Sequence, residues 1–516
     1  MTFTRPISSD FVQVEILHSD NIEKEFHLHA VPRADVNARP ISRKGLRMNV
    51  VALMFDSTSA ANWQRLMRKS NNYLHTHLNA ISFKGHSIVG DGTTAQLCAM
   101  LTGTAEEDEP EARRRMVGSK PVDDWQWIFK EYKKKGYATL FTEDDPGIAT
   151  FNYRLEGFSS PPTDHYARNF WLALEEHNYD KEQSSFCIGA QAIHNLTLGY
   201  IESFMEAYPN RPKFAFGILS SLTHSDQNGI SYSDKDFLRF LKRLEIGGHL
   251  ANTIFITFSD HGPRFSDFRK TIQGKLEERL PHFSIALPFW FKEKYSILYK
   301  HLKHNSGVLT SHFDTYAMLR HVLTYPDYPE GITTGSSLLT KINSKMRTCA
   351  DAGIPLHWCP CMKWENFEVH QRVVMDIALA VIGEINNMTS HGELGNLCER
   401  LHLKKVNSVL REMPSDIVQK FKNTKEIEKC DSCEPVFGEK KLDKSFKDNL
   451  YQIQFVTKPG NGEFEATVRV WDGKVLVTNT HISRINKYGN QSECVKHSHT
   501  HLSRYCYCKN QQPAHE

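Results

Sequence analysis

Residues Asn49–Phe55 (NVVALMF) form an apolar run that ends abruptly at Asp56. A strand of a parallel sheet is covered on both faces and loses its polar alternation, so this run predicts a buried strand. Thr253–Phe258 (TIFITF) repeats the pattern and ends in Ser259-Asp260-His261-Gly262. Phe214–Leu222 is a third such stretch, followed by Thr223-His224-Ser225-Asp226. Shorter strands are predicted at Ala80–Phe83, Tyr137–Thr142 and Ser284–Phe291, and an alternating one at Phe11–Leu17. Helical periodicity follows Asp56 through Trp63, Leu66, Met67 and Tyr73. It recurs over Thr94–Leu101, Trp125–Lys135, Ile193–Tyr208, Asp234–Ile246 and Leu309–Leu323. Gly136 and Gly247-Gly248 end two of these helices, as glycine does at a helix C-terminus.

Strands and helices therefore alternate from about Met48 to Leu323, which implies βαβ units. The predicted fold class is α/β, with a mostly parallel central sheet covered by helices on both faces. From about Arg347 the character changes. A helix is predicted at Val373–Ile385, and Pro459-Gly460-Asn461-Gly462 between Tyr451–Val456 and Glu463–Trp471 signals a hairpin. This end reads as a smaller, Cys-rich α+β domain. The expected division is 1–47 (an N-terminal strand and connector packing on the core), 48–345 (the α/β domain) and 346–516 (the Cys-rich domain).

Composition narrows the class. A net charge of +3 from 63 basic and 60 acidic residues argues against a nucleic-acid partner. No apolar run reaches the roughly 18 residues of a membrane span, and the first residues hold no signal-peptide core. Nine of the 11 Cys lie from Cys349 onward, a density that points to disulfides and an oxidising compartment. Asn195-Leu196-Thr197, Asn387-Met388-Thr389 and Asn490-Gln491-Ser492 have the form of glycosylation acceptors. The expectation is an extracellular or lumenal glycoprotein, anchored to a membrane through an N-terminal segment outside this chain.

Candidate chemistry gathers at the predicted strand ends. Open α/β sheets bind ligands beyond the carboxyl ends of their strands. Asp56 would suit a metal there, or simply an N-cap for the next helix. Asp260 and His261 suit a divalent cation such as zinc or manganese, and Gly262 permits close backbone approach. Gly90-Asp91-Gly92-Thr93-Thr94 leads into a helix, so Thr93 would meet free N–H groups or act as a cap. His224 follows its strand in the same way. Glu143-Asp144-Asp145 reads as further ligands or, by preference, a solvated loop. Cys430-x-x-Cys433, Cys506-x-Cys508 and His497, His499 and His501 could hold zinc, but disulfides and a solvated His face fit better.

The ordered set of Asp56, Thr93 with Leu101-Thr102-Gly103, His224 and Asp260-His261-Gly262 resembles the alkaline-phosphatase-like superfamily, which includes the sulfatases. Within it, longer stretches resemble an uncharacterised animal family of sulfatase-like ectodomains. These include Phe151-Asn152-Tyr153-Arg154, Pro161–Tyr166, Ser259–Arg264, Gln273–Pro281 and His357–Cys361. The resemblance implies an alkaline-phosphatase-like fold. It also implies a divalent metal (zinc, manganese or calcium) held by Asp56, Thr93, Asp260 and His261. Thr93 would be the nucleophile and His224 a contact to the transferred group. The substrate would be a phosphorylated or sulfated small molecule, lipid or glycan.

Two departures bear on activity. Sulfatases carry Cys or Ser at the Thr93 position, with Pro and Arg two and four residues later, whereas this chain has Ala95 and Leu97. That argues against formylglycine chemistry. The closer family carries Phe-Pro-Asn where Thr94-Ala95-Gln96 stands here. Two readings follow: a metal-dependent hydrolase or transferase of phosphate esters, with sulfate esters second, or a weakly active or inactive ectodomain that binds glycan or protein.

Overall fold

The computed structural model describes residues 7–19, 22–176, 186–188, 191–413 and 448–509. The chain forms two compact units, Met1–Pro360 and Cys361–Glu516. At the centre of the first is a seven-stranded sheet. Its strands are β1 (Asn49–Phe55), β2 (Ile81–Ser82), β3 (Ala138–Glu143), β4 (His165–Tyr166), β5 (Lys213–Leu219), β6 (Thr253–Phe258) and β7 (Phe283–Ala286). The order across the sheet is β2-β7-β6-β1-β5-β3-β4. Strands β6, β1, β5, β3 and β4 run parallel, while β7 is antiparallel to both neighbours. The α/β architecture predicted from the alternation of elements is therefore observed.

Both faces of the sheet are covered, which is why the strands read as continuous apolar runs. Val50, Ala52 and Met54 of β1 pack with the helices Thr93–Leu101, Ile128–Lys134 and His312–Thr324. Val51, Leu53 and Phe55 point the other way, into a layer with Ile193–Ala207 and Asp234–Ile246. The period of two in a strand sorts these side chains without any change in their chemistry.

Several element boundaries differ from the sequence reading. The helical pattern after Asp56 is two helices, Ala60–Leu66 and Arg68–Thr76, broken at Met67. The stretch predicted as a strand over Ser284–Phe291 is β7 only to Ala286. After Pro288 the chain turns into a helix, Phe289–Lys294. Leu309–Ser311 is a strand paired with Gly85–Ser87, and the helix begins at His312 behind a Ser311/Asp314 capping box.

The N-terminal segment is a hairpin, Phe11–Leu17 with Ile22–Leu28. A buried polar network ties it to the core. Asp10 Oδ2 accepts from His165 Nδ1 at 2.6 Å and from the Tyr200 hydroxyl at 2.6 Å, while its Oδ1 accepts from the Val31 N–H. His165 Nε2 meets the Tyr208 hydroxyl at 2.7 Å. Beside it, Asp164 takes a two-pronged bond from Arg39 and pairs with Lys133. Burial would raise the Asp164 carboxyl, but these cations hold it at about 2. The Pro161–Tyr166 motif is thus a clamp on the N-terminal segment. Asp10→Ala should leave these donors without their acceptor and cost roughly 1–3 kcal/mol of stability. Chemical denaturation of the variant beside wild type measures it.

The second unit is an antiparallel sheet in the order Trp364–Asn366, His402–Glu412, Asp448–Lys458, Glu463–Trp471, Lys474–Leu476. The helix Arg372–Met388 buries Val374, Ile377, Ala378, Val381, Ile382 and Ile385 in the same hydrophobic cluster as this sheet. The hairpin at Pro459–Gly462 is as predicted, while the long strand His402–Glu412 carried no clear sequence signal. Disulfides Cys398–Cys506 and Cys494–Cys508 close this unit, and Cys349–Cys359 closes a loop of the first. Cys430 and Cys433 lie outside the described residues. Among the described residues no helix is long and apolar enough to cross a membrane.

Candidate metal centre and nucleophile

Strands β6, β1 and β5 are parallel neighbours, so their carboxyl ends open on the same edge of the sheet. Asp56 follows β1, and Asp260 and His261 follow β6. The structure brings one ligand atom from each of these three within 4.8 Å of one another. All three are buried, with 2% exposure for Asp56, 0% for Asp260 and 3% for His261. Asp56 is not a helix cap; Ser59 fills that role by accepting from Asn62 N–H.

Backbone and hydroxyl donors fix the carboxylates. Ser57, with φ of 56°, gives its N–H to Asp260 Oδ1 at 3.0 Å and its hydroxyl to Asp56 Oδ1 at 2.9 Å. Against its burial and the Asp260 charge, the Ser57 and Ser220 hydroxyls lower the Asp56 carboxyl. A non-glycine residue in the left-handed region costs energy and marks a conformation the surroundings enforce. Here that conformation turns one residue toward both carboxylates.

His261 Nδ1 lies 2.8 Å from the Gly262 carbonyl. A carbonyl only accepts, so Nδ1 carries the proton and Nε2 presents a lone pair. That Nε2 stands 3.2 Å from Asp260 Oδ2. Oδ2 is buried and has no hydrogen-bond partner among the described residues. Two electron-rich atoms thus face each other beside a second buried carboxylate. Burial, then the adjacent Asp260 charge, push the Asp56 carboxyl well above its usual range. Burial likewise lowers His261, against the pull of Asp260, and favours the neutral imidazole. Such a donor set fits a divalent cation. Gly262 allows it to form: a Cβ there would sit 2.1 Å from the Glu277 carbonyl oxygen.

Thr93 begins the Thr93–Leu101 helix and is half-buried. The N-cap is Gly92, at φ of 80°, so Thr93 does not cap the helix. Against burial, the His261 charge and then the Thr93 hydroxyl lower the Asp260 carboxyl. His224 lies exposed in the turn after β5, its N–H bonded to the Ser220 carbonyl. The Thr93 hydroxyl acts on Asp260 of this cluster, whereas His224 stays on the turn beyond Ser220.

The family described as protein of unknown function (DUF229) matches residues 7–407. The chain belongs to that family. No curated protein matches it. Solved structures similar to this DUF229 chain include a protein in the alkaline phosphatase superfamily from Vibrio parahaemolyticus. It has 12% identity and a TM-score of 0.39, over 91% of this chain and 90% of that one. The phosphonate monoester hydrolase from Silicibacter pomeroyi matches at 12% identity and TM-score 0.40, over 81% and 88%. The lipoteichoic acid synthase LtaP from Listeria monocytogenes matches at 12% identity and TM-score 0.38, over 60% and 81%.

In this DUF229 chain the Thr94-Ala95-Gln96 departure has a structural account. Gln96 is fully buried and its amide grips the loop before Thr93. Its Oε1 accepts from Val89 N–H at 2.8 Å, and its Nε2 donates to the Gly90 and Gly92 carbonyls at 2.8 and 3.2 Å. Ala95 is small because Gly90 lies against it; a Cβ on Gly90 would stand 2.6 Å from the Ala95 Cβ. Gln96→Ala should lower any turnover by up to about 10²-fold through misplacement of Thr93. Metal affinity should stay near wild type, so calorimetric metal titration beside kinetics separates the two effects.

The acidic run after β3 is not the solvated loop preferred from sequence. Asp144 is buried and accepts from the Ser220 and Ser221 N–H groups and the Ser221 hydroxyl. Burial raises it to about 6, against those bonds. It braces the turn that carries Ser220 toward Asp56. Glu143, half-buried, accepts from the Thr150 N–H and hydroxyl. Burial lifts it to about 8 against these bonds and Arg168, with Asp144 adding to the rise. A carboxyl raised on folding favours the folded state below its unfolded pKa, and that contribution is lost as pH rises through about 8. Wild type should therefore lose melting temperature from pH 5 to 9 relative to Glu143→Gln. Each unit is worth about 1.4 kcal/mol, so the loss should exceed about 1 kcal/mol even after a large discount for solvent. Paired thermal melts across that range measure it.

The sequence reading did not single out Ser57 or Ser220 for the site, noted Gln96 only as part of a departure, and preferred a solvated loop for Asp144. The only available signal was position, since each stands within a few residues of a strand end or of Thr93.

Proposed function

We propose that the protein is a metal-dependent hydrolase or transferase that acts on phosphate esters, ahead of sulfate esters, through Thr93. The observation that carries this reading is the Asp260 carboxylate. One of its oxygens faces the His261 Nε2 lone pair with no hydrogen-bond partner among the described residues, and Asp56, Asp260 and His261 each offer a ligand atom within 4.8 Å of the others. Asp56, Thr93, Asp260 and His261 would hold the ion. One imidazole among carboxylates and a hydroxyl suits zinc or manganese better than calcium.

A divalent ion held there would lower the pKa of the Thr93 hydroxyl and offset charge on the transferred group. The residues do the rest. Gln96 and Gly92 hold Thr93 at the head of its helix, where the residue is half-exposed to an incoming ester. Thr93 Oγ loses its proton to solvent and forms a bond to phosphorus as the ester P–O bond breaks. The departing alcohol oxygen takes up a proton from water. Water or an acceptor hydroxyl then attacks phosphorus, and Thr93 leaves with a proton. His224, on the turn beyond Ser220, would contact the transferred group from the rim.

The binding-only reading drew on the Thr94-Ala95-Gln96 departure. The hydrogen bonds from Gln96 to the Thr93 loop support the catalytic reading instead. Three disulfides among the described residues support an extracellular or lumenal location. Of the three glycosylation triplets, Asn387 and Asn490 are exposed while Asn195 is half-buried, so Asn387 and Asn490 are the proposed sites. The test of function is turnover of aryl phosphodiesters by metal-stripped protein resupplied with zinc or manganese. Metal-dependent release supports the reading; metal binding without turnover across a broad ester screen favours the binding ectodomain.

A further inference from the structure

A cavity of about 1180 Å³ opens at the amino ends of the strands, on the opposite edge of the sheet from Asp56 and Asp260. Asn49 and Lys213, the first residues of β1 and β5, line it. So do Asn252, just before β6, and Arg211, two residues before β5. Lys213 and Arg211 are buried, with 4% and 8% exposure. The Lys213 ammonium donates to the Tyr208 and Arg211 carbonyls. An ammonium has three N–H donors, so one remains free among the described residues. The Arg211 guanidinium donates to the Gly136, Asn37 and Arg39 carbonyls.

Carbonyls satisfy these donors but carry no net charge. Among the described residues neither cation pairs with a carboxylate. Burial alone pulls the Lys213 ammonium down to about 8. Burial, then the Arg39 charge, lower Arg211. Asp164 works the other way, but Arg39 and Lys133 already pair with it. Buried positive charge without a counter-charge is costly, and an anion in the cavity would relieve that cost. The exposed part of the lining is balanced: Arg47 and Lys294 stand with Glu206 and Glu293, and His249 adds no negative charge. The surplus of positive charge is therefore that of Lys213 and Arg211. Lys294 is held at the rim by two rings, 5.7 Å from the centre of Trp290 and 5.4 Å from that of Tyr295.

We propose that this cavity is a second binding site, for a phosphate or sulfate group, free or carried on a small hydroxylated molecule such as a sugar. Lys213 gives its third N–H to an oxygen of the anion, and Arg211 adds its charge. The volume exceeds what a lone anion fills and leaves room for the molecule that carries it. Asn210 and Asn252 on the lining offer amide groups to its hydroxyls. The proposal stands apart from the Thr93 reading: the two sites share no residue and lie on opposite edges of the sheet.

Calorimetry on the metal-stripped protein tests it, with inorganic phosphate, glucose 6-phosphate and glucose as probes. Stripping the metal leaves two carboxylates at the other edge, which repel anions, so binding there does not interfere. Both phosphates should bind saturably, and glucose should not. Lys213→Met should weaken both by at least about tenfold, as loss of a hydrogen bond to a charged group does. Its melting curve beside wild type shows whether it folds. Lys294→Gln, at the exposed rim, should weaken both by about threefold and keeps the test decisive if Lys213→Met does not fold. Anion affinity unchanged in folded Lys213→Met, or in Lys294→Gln where Lys213→Met is unfolded, overturns the proposal. So does a wild type that binds neither phosphate, that binds them only with zinc present, or that binds glucose as tightly as glucose 6-phosphate. Within the proposal, glucose 6-phosphate binding tighter than inorganic phosphate assigns the site to an ester, and equal affinities assign it to the free anion.

Discussion

Thr93→Ala is expected to reduce metal-dependent ester turnover by roughly 10³-fold or more, since loss of a covalent nucleophile removes several kcal/mol of barrier lowering at 1.36 kcal/mol per tenfold. Stability should barely change. Thr93 is half-buried, and Gly92, not Thr93, is the N-cap of its helix. The alanine variant gives up the hydroxyl that helps to lower the Asp260 carboxyl. Surface-side changes of this kind stay near 0.5 kcal/mol. Thr93→Ser keeps a hydroxyl at the same place and should retain part of the activity. Steady-state kinetics with thermal melts of the three proteins checks this. Thr93→Ala turning over near the wild-type rate would remove the nucleophile from the account.

Asp260→Asn is expected to act in opposite directions on the metal-free and metal-loaded protein. Without metal, wild type buries two carboxylates side by side, and Asp56 is pushed well above its usual range by burial and by Asp260. Replacing one with an amide removes a like-charge contact, so the metal-free variant should melt at or above wild type. With metal, the variant loses a ligand. Loss of an outer-shell partner already costs roughly 10–100-fold in affinity, and a direct ligand should cost more than that. The stabilisation that wild type gains on adding zinc should therefore largely vanish in Asp260→Asn. Raising metal concentration should partly restore turnover to Asp260→Asn but not to Thr93→Ala. Melting curves with and without zinc decide it, and a metal-free variant less stable than metal-free wild type would count against the crowded-carboxylate picture.

Much of the central architecture was legible because burial on both faces leaves a plain mark. Asn49–Phe55 and Thr253–Phe258 could be read as strands, and their parallel pairing put Asp56 and Asp260 on one edge. The antiparallel sense of β7 was not legible, since a short apolar run says nothing of direction, and Pro288 hid a helix start inside it. The long strand His402–Glu412 escaped because its burial is irregular and its register shifts twice against Asp448–Lys458. At the site, residue type and position pointed to the three groups that the fold gathers, Asp56, Asp260 and His261. They did not reveal the groups that hold those residues. Ser57 acts through a left-handed backbone, Gln96 through an amide folded back on its own loop, and Asp144 through N–H groups of a neighbouring strand. Those are tertiary contacts, which no local pattern encodes. The same limit explains why Glu143 and Asp144 read as solvated: three acids in a row look like surface until the sheet edge buries Asp144 and half-buries its neighbours.

The most direct measurement is a crystal of the metal-stripped protein soaked in zinc, with diffraction collected at the zinc absorption edge. The account predicts an anomalous peak at bonding distance, roughly 2.0–2.2 Å, from Asp56 and Asp260 oxygens and His261 Nε2, with the Thr93 hydroxyl turned toward it. Zinc bound only elsewhere, with these three side chains as they stand and no peak between them, would contradict it.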